Sequence, residues 1–246
     1  MINYPKTPIV WLSIIALNFA LLVFGYIIGS FNTAIILSKK LKNDDVRNHF
    51  SQNAGATNSL RTYGKKFALI VFIIDFMKVL IPTLIFATLQ NHLFCDFSAA
   101  YWMSPQSIGL GVILGHCFPI FFKFKGGKGV ACSSAFILSI NPVLWLIAFV
   151  VFFATVIISK KVSLGSLLTA GIIAPLVFIP WFSQGITGYW FNFINLSNCI
   201  SPQCLQPYWF VSAVYFLIAS ILIICLHRSN IKRLISGTES QLKLKK

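Results

Sequence analysis

Polar positions are sparse along this chain and fall in clumps, separated by long apolar runs. The runs cover Ile9–Ser30, Phe67–Leu89, Pro105–Phe122, Val130–Ile158, Leu164–Phe182 and Tyr208–Leu226. A helix of about 20 apolar residues crosses a hydrocarbon core of about 30 Å, so each run is a candidate span. The first run lacks a basic leader and a small-residue cleavage site, which makes it a span and not a signal peptide. The fourth run holds Asn141-Pro142 near its middle, where asparagine tolerates a turn and proline ends a helix. Its first half reaches only about 16 Å at 1.5 Å per residue, so length alone favours one helix and six spans.

Charge changes that count. Among 246 residues 57% are hydrophobic and 10% charged, yet the net charge is +15. The basic residues cluster at Lys39–Lys66, at Lys123, Lys125 and Lys128, at Lys160 and Lys161, and from Arg228 to Lys246. Residues 90–104 and 183–207 contain no Lys or Arg. Cytoplasmic segments carry the Lys/Arg excess, and all four clusters reach one side only if the chain breaks at Asn141-Pro142. The expectation is an all-α bundle of seven spans, N-terminus outside and C-terminus cytoplasmic. Its basic face would meet anionic lipid and metabolites. Mean hydropathy of +0.81 excludes an ordinary soluble domain. With no internal repeat and no linker, residues 1–246 form a single domain. Topology alone accounts for Lys39, Lys40, Lys160 and the last three lysines.

The six cysteines show no metal-ligand spacing. Cys95, Cys199 and Cys204 would face outward, which leaves room for one disulfide; Cys117, Cys132 and Cys225 suit small apolar packing positions.

Chemistry is expected in the basic loops. The first places Ser51, Asn53, Thr57, Asn58 and Ser59 between Arg47 and Arg61, a hydrogen-bonding surface with guanidinium groups able to clamp an oxyanion. Equally, it is a polar loop with Thr57 or Ser59 as a helix N-cap. The second runs from His116 to Val130 and contains Lys123, Lys125, Lys128, Gly126, Gly127 and Gly129. Glycines let a backbone approach a ligand and lysine adds a point charge, a combination suited to phosphate. It is no nucleotide-binding P-loop, because Phe122 and Gly129 stand where that motif needs glycine and a hydroxyl. Ser163 follows Lys160 and Lys161 and suits either a ligand or a helix cap. His227 and Asn230 share one helical face at the end of the last run.

Ser51-Gln-Asn-Ala-Gly-Ala-Thr-Asn-Ser-Leu-Arg61, Gly115-His-Cys-Phe-Pro119, Phe124-Lys-Gly-Gly-Lys-Gly-Val-Ala131 and His227-Arg-Ser-Asn230 resemble, in order, the motifs of the bacterial acyl-phosphate:glycerol-3-phosphate acyltransferases. These are small integral membrane enzymes. The resemblance runs from about residue 29 to 237 and includes Asp75 and Lys78 as an Asp-x-x-Lys pair. Gln52 stands in place of a glycine, Cys132 in place of a threonine, and residues 183–207 make a long outer loop.

The resemblance implies transfer of a fatty acyl group from acyl-phosphate to glycerol 3-phosphate, the first step of phospholipid synthesis, in the bacterial inner membrane. It implies no cofactor and no metal, and no nucleic-acid partner. Membrane lipid and the enzyme that makes acyl-phosphate are the expected associates. Ser51, His116, Lys128, Ser163 and His227 form the implied catalytic set. Asn53, Thr57, Asn58, Arg61, Gly126, Gly127, Gly129 and Asn230 form the implied substrate-binding set. Lys128 with the glycine N–H groups would hold one phosphate, and Arg61 with Ser51, Asn53 and Thr57 would hold the other or orient the glycerol. His116, His227 or the leaving phosphate would take the hydroxyl proton. His92 and Asp96 are one residue too close for the His-x-x-x-x-Asp of enzymes that use acyl-CoA or acyl carrier protein.

Two other classes compete. An organic-phosphate transporter would place ionisable groups at mid-membrane, but Asp75 and Lys78 are explained as an ion-pair lock between helices. A scaffold leaves the Gly-Lys turn without a purpose.

Overall fold

Residues 7–180, 182, 194 and 210–242 are described by a computed structural model, and among them every regular element is helical. The helices are α1 (Pro8–Ser30), α2 (Thr33–Lys42), α3 (Ala56–Tyr63), α4 (Lys65–His92), α5 (Cys95–Ala100) and α6 (Pro105–Cys117). They continue as α7 (Val130–Ile140), α8 (Pro142–Ser159), α9 (Val162–Val177), α10 (Val211–Leu226) and α11 (Arg228–Ile235). Four stretches are long and apolar enough to cross a bilayer: Pro8–Lys42, Lys65–His92, Pro105–Phe122 and Pro142–Ser159. The α10–α11 pair makes a fifth if its 57° bend is counted within one span, while α7 and α9 are apolar but shorter. Residues 183–193 and 195–207, expected from the sequence to form an outer loop and containing Cys199 and Cys204, lie outside the described residues, as does the Cys95 side chain.

The fourth apolar run is broken where its sequence suggests. Asn141 is fully buried and caps α8, its Oδ1 accepting from the N–H groups of Val143 (2.8 Å) and Leu144 (3.1 Å). Pro142 then takes the first helical position, where its missing N–H costs nothing.

Small residues set the closest helix contact. A Cβ on Gly25 would lie 2.2 Å from the Ile108 carbonyl oxygen, and one on Gly29 2.1 Å from that of Val112. Gly111 and Gly115 stand in the same relation to Leu22 and Tyr26. Paired small-xxx-small faces thus let α1 and α6 run parallel with their backbones touching, which replaces the hydrophobic drive absent in lipid. The pairing also puts the C-terminal ends of α1 and α6 side by side.

An ionic cluster pins those ends to α4. Asp75 Oδ1 accepts from Thr33 Oγ1 (2.8 Å) and lies 2.8 Å from Lys78 Nζ and 3.4 Å from His116 Nδ1. Lys78 also reaches His116 Nδ1 at 3.1 Å and the Gly29 carbonyl at 3.4 Å. The interhelical lock therefore joins residues of α1, α2, α4 and α6. A charge buried in hydrocarbon must be paired, and here three partners share one carboxylate.

Candidate active site

Every basic loop meets at the end of the bundle where this cluster lies. Asn32, fully buried between α1 and α2, caps α2 by accepting from Ile35 N–H (3.2 Å). Its amide donates to the carbonyls of Ala54 (3.4 Å) and His116 (3.3 Å), tying the first loop to the second. Ala54 N–H donates to Gly126 O at 3.2 Å, a second tie.

The Gly-Lys turn folds back on the end of α6. Gly126 N–H donates to Cys117 O (3.1 Å) and Gly127 N–H to His116 O (3.0 Å). This corrects the sequence expectation that both N–H groups face a phosphate. These glycines serve close approach instead: a Cβ at 126 would lie 2.1 Å from His116 O, and one at 127 2.0 Å from His116 Nε2. Gly129 takes the left-handed conformation at φ +78° before α7 begins. None of the N–H groups from Lys128 to Cys132 has a partner among the described residues, so of the three expected glycine donors only that of Gly129 is free, together with its neighbours. His116 is wedged between the ionic cluster and Gly127, 3% exposed, which makes it a support of the turn.

The first loop divides its polar residues between bracing and availability. Asn58, 1% exposed, donates to Val46 O (2.8 Å) and His49 O (3.1 Å) and accepts from Ser51 N–H and Oγ (3.1 Å each). Its amide is bonded inside the loop, so Asn58 braces the surface on which the sequence places a substrate. Arg47 is likewise spent: it pairs with Asp45 (2.7 Å) and donates to Phe122 O (3.0 Å) and Lys125 O (3.1 Å). Gly55, not Thr57 or Ser59, caps α3. Arg61, Asn53 and Thr57 are half-buried, and their side chains have no hydrogen-bond partner among the described residues.

The strongest convergence joins the second loop, α9 and the tail. Lys128 donates to Asn230 Oδ1, and Asn230 Nδ2 donates to Ser163 Oγ at 3.0 Å. Ser163 Oγ in turn donates to Glu239, which also accepts from Asn230 Nδ2 (2.7 Å) and Arg233 Nε (2.7 Å). Ser163 is the second residue of α9, and Lys161 holds the cap position, so the cap reading of Ser163 falls. Burial, reinforced by the charges of Arg233 and Arg61, lowers Lys128 to about 8. His227, one residue beyond α10, is lowered to about 4 by burial and by Lys128. Its Nδ1 lies 2.8 Å from the Ile223 carbonyl, which can only accept, so Nδ1 carries the proton and Nε2 is a free acceptor.

Glu239 escaped the sequence reading. It is one of only five acidic residues and sits in a basic tail, two positions after the left-handed Gly237 (φ +72°). Its carboxyl is held below the usual range, burial being outweighed by the bonds from Ser163, Asn230 and Arg233.

Beside this cluster opens an apolar cavity of about 540 Å³. Val130, Ser133, Ser166 and Ile223 line it, each within about a helical turn of Lys128, Ser163 or His227. No group of three or more His, Cys, Asp or Glu able to hold a metal occurs among the described residues.

A bonded cluster of cationic, hydroxyl and amide groups at one end of a helical bundle, with an apolar cavity beside it, fits a membrane protein that handles an amphiphile with a polar head. Comparison with known proteins narrows the class. Residues 19–237 match the family described as glycerol-3-phosphate acyltransferase. A glycerol-3-phosphate acyltransferase of Mycoplasmopsis agalactiae is 51% identical over 94% of this chain and 97% of its own. One from Mycoplasmopsis synoviae is 41% identical over the same shares. Among solved structures, PlsY (YgiH), an integral membrane glycerol 3-phosphate acyltransferase in its glycerol 3-phosphate form, superposes with a TM-score of 0.70 at 31% identity. It covers 92% of this chain and 95% of that one; the lysophosphatidic acid form gives 0.67 at 30%. The chain belongs to the glycerol-3-phosphate acyltransferase family and is an acyltransferase.

Proposed function

We propose that this protein moves a fatty acyl group from acyl-phosphate to the 1-hydroxyl of glycerol 3-phosphate, releasing lysophosphatidate and inorganic phosphate. The observation that carries the reading is the bonded run Lys128–Asn230–Ser163, with unpaired Arg61 nearby and an apolar cavity opening beside it. Two phosphates and one acyl chain need cations, neutral donors and an apolar slot in one place, and the pocket supplies all three. The solved relatives in glycerol 3-phosphate and lysophosphatidic acid forms support both ends of the reaction.

In this mechanism Lys128 and Arg61 grip the glycerol 3-phosphate, with Ser163, Asn230, Asn53 and Thr57 orienting it. The donor phosphate meets the free N–H groups at the start of α7, where the helix dipole favours an anion. The glycerol oxygen bonds to the acyl carbon, the acyl carbon–oxygen bond to phosphate breaks, and phosphate leaves with the electron pair. The hydroxyl proton goes to His227 Nε2 or to the departing phosphate. A value of about 4 makes His227 a weak base, which favours the departing phosphate as acceptor, and His116 is occupied below the turn. Holding both substrates in register supplies several kcal/mol of the barrier. Ser51 and Asn58 act by shaping the first loop.

The seven-span arrangement, N-terminus outside and this pocket facing the cytoplasm of a bacterial inner membrane, goes with the reading. On this reading glycerol 3-phosphate and the enzyme that makes acyl-phosphate reach the protein from the pocket's side.

Purified protein given palmitoyl-phosphate and glycerol 3-phosphate is expected to yield phosphate and lysophosphatidate one for one, with no product from palmitoyl-CoA. Turnover with palmitoyl-CoA and none with palmitoyl-phosphate overturns the donor assignment.

A further inference from the structure

The cavity has a shape that follows from the break at Asn141. Helices α7 and α8 meet there as the two arms of a V, and both arms line the cavity. From α7 the lining runs from Val130 to Leu138, and from α8 it runs from Phe153 back to Trp145. No residue between Leu138 and Trp145 lines it, so the cavity ends short of the apex. The α7 lining nearest the polar cluster is Val130 and Ser133, a few residues along the chain from Lys128. Eight residues of α7 separate the two ends, about 12 Å at 1.5 Å per residue.

Trp145 is the α8 lining residue nearest the apex and is fixed from several sides. Its indole Nε1–H donates to Ser134 Oγ at 3.0 Å, a bond from one arm of the V to the other. Its ring lies 5.5 Å from Phe149 and edge-on to Phe76 at 6.5 Å. An indole N–H left unpaired in apolar surroundings is costly, so the Ser134 bond holds the ring in one orientation. A small cross-strut of this kind turns a flexible aromatic into a rigid floor. The side wall differs: Phe149 and Phe153 are 43% and 44% exposed, which leaves a lateral opening toward lipid.

We propose that Trp145, held by Ser134, is the specificity-determining floor of the acyl site and limits the length of chain this enzyme transfers best. The inference rests on the acyl-phosphate reading above, with the donor's chain entering beside the Gly-Lys turn and its methyl end meeting the indole. Discrimination arises because a chain too short leaves the floor uncovered. One too long must bend out past Phe149 and Phe153. A single methylene in an apolar pocket changes preference about 10-fold or more where water is the alternative, and less where lipid is.

The test uses full-length purified protein and even-numbered acyl-phosphates from hexanoyl to arachidoyl, with kcat/KM measured for each. Trp145→Ala lowers the floor and is expected to raise the ratio of longer to shorter chains about tenfold over wild type. Ala148→Phe, which fills the cavity from α8 nearer its mouth, is expected to shift the ratio the opposite way. Should Trp145→Ala fail to fold, Trp145→Phe and Ser134→Ala carry the argument, since each removes the strut and is expected to broaden the profile. Chain profiles unchanged from wild type in Ala148→Phe and in whichever Trp145 variant folds overturn the proposal while leaving the reaction standing. A wild-type enzyme that accepts no acyl-phosphate of any length overturns the donor reading, and this inference falls with it.

Discussion

Lys128 carries its charge under strain. Burial and two neighbouring guanidinium groups bring it to about 8, so within the working range it can lose the proton on which its proposed phosphate-binding role depends. Below that value the ammonium is present and binds; above it the neutral amine does not. The kcat/KM for glycerol 3-phosphate, which reports the free enzyme, is therefore expected to fall as pH rises through about 8. The substrate phosphate, with a second pKa near 6, is already a dianion across that limb. Lys128→Arg keeps its charge at every accessible pH and is expected to lose the alkaline limb, although its altered geometry lowers the rate throughout. An unchanged limb in that variant assigns the titration elsewhere. At this scale the sequence shows which residue types gather but not what each atom touches. Gly126, Gly127, Asn58 and Arg47 were legible as a phosphate-friendly set. Their polar groups are nevertheless spent within the two loops, because hydrogen-bond partners depend on chain segments up to 78 residues away. Glu239 was silent for the same reason, since its partner Ser163 lies 76 residues before it.

Elements were more legible, because hydrophobic runs and helix breakers act locally. The break at Asn141-Pro142 followed from the need to keep Lys123–Lys128 and Lys160–Lys161 on one face, and the side chain of Asn141 completes it by capping α8. The first loop was less legible: a polar stretch taken as one surface holds a separate helix, α3, started by Gly55. Its spacing alone did not distinguish a cap at Thr57 from one two residues earlier. Asn141 also donates to Phe182 O at 2.7 Å. Asn141→Ala removes the cap and that donor, stranding the N–H groups of Val143 and Leu144. A loss of about 1 kcal/mol or more is expected, read as a lower thermal midpoint in detergent. Stability equal to wild type means the break is held by Pro142 and packing alone.

At the scale of the whole molecule the fold brings the Lys39–Lys66, Lys123–Lys128, Lys160–Lys161 and Arg228–Arg233 segments to one end of the bundle. Single cysteines at Lys125, Lys161 and Arg228, in a cysteine-free background, are expected to resist an impermeant thiol reagent added outside intact cells and to react after permeabilisation. One at the exposed His92 is expected to react in both. Labelling of Lys161 from outside but not Lys125 contradicts the shared face. The central claim is that Lys128 and Asn230, 102 residues apart, act on one substrate phosphate within a single pocket. A double-mutant cycle on kcat/KM for glycerol 3-phosphate tests it most directly, using Lys128→Ala, Asn230→Ala and the pair. Each single change is expected to cost about 100-fold, and the double about as much as the worse single. Costs that multiply in the double variant contradict a common pocket.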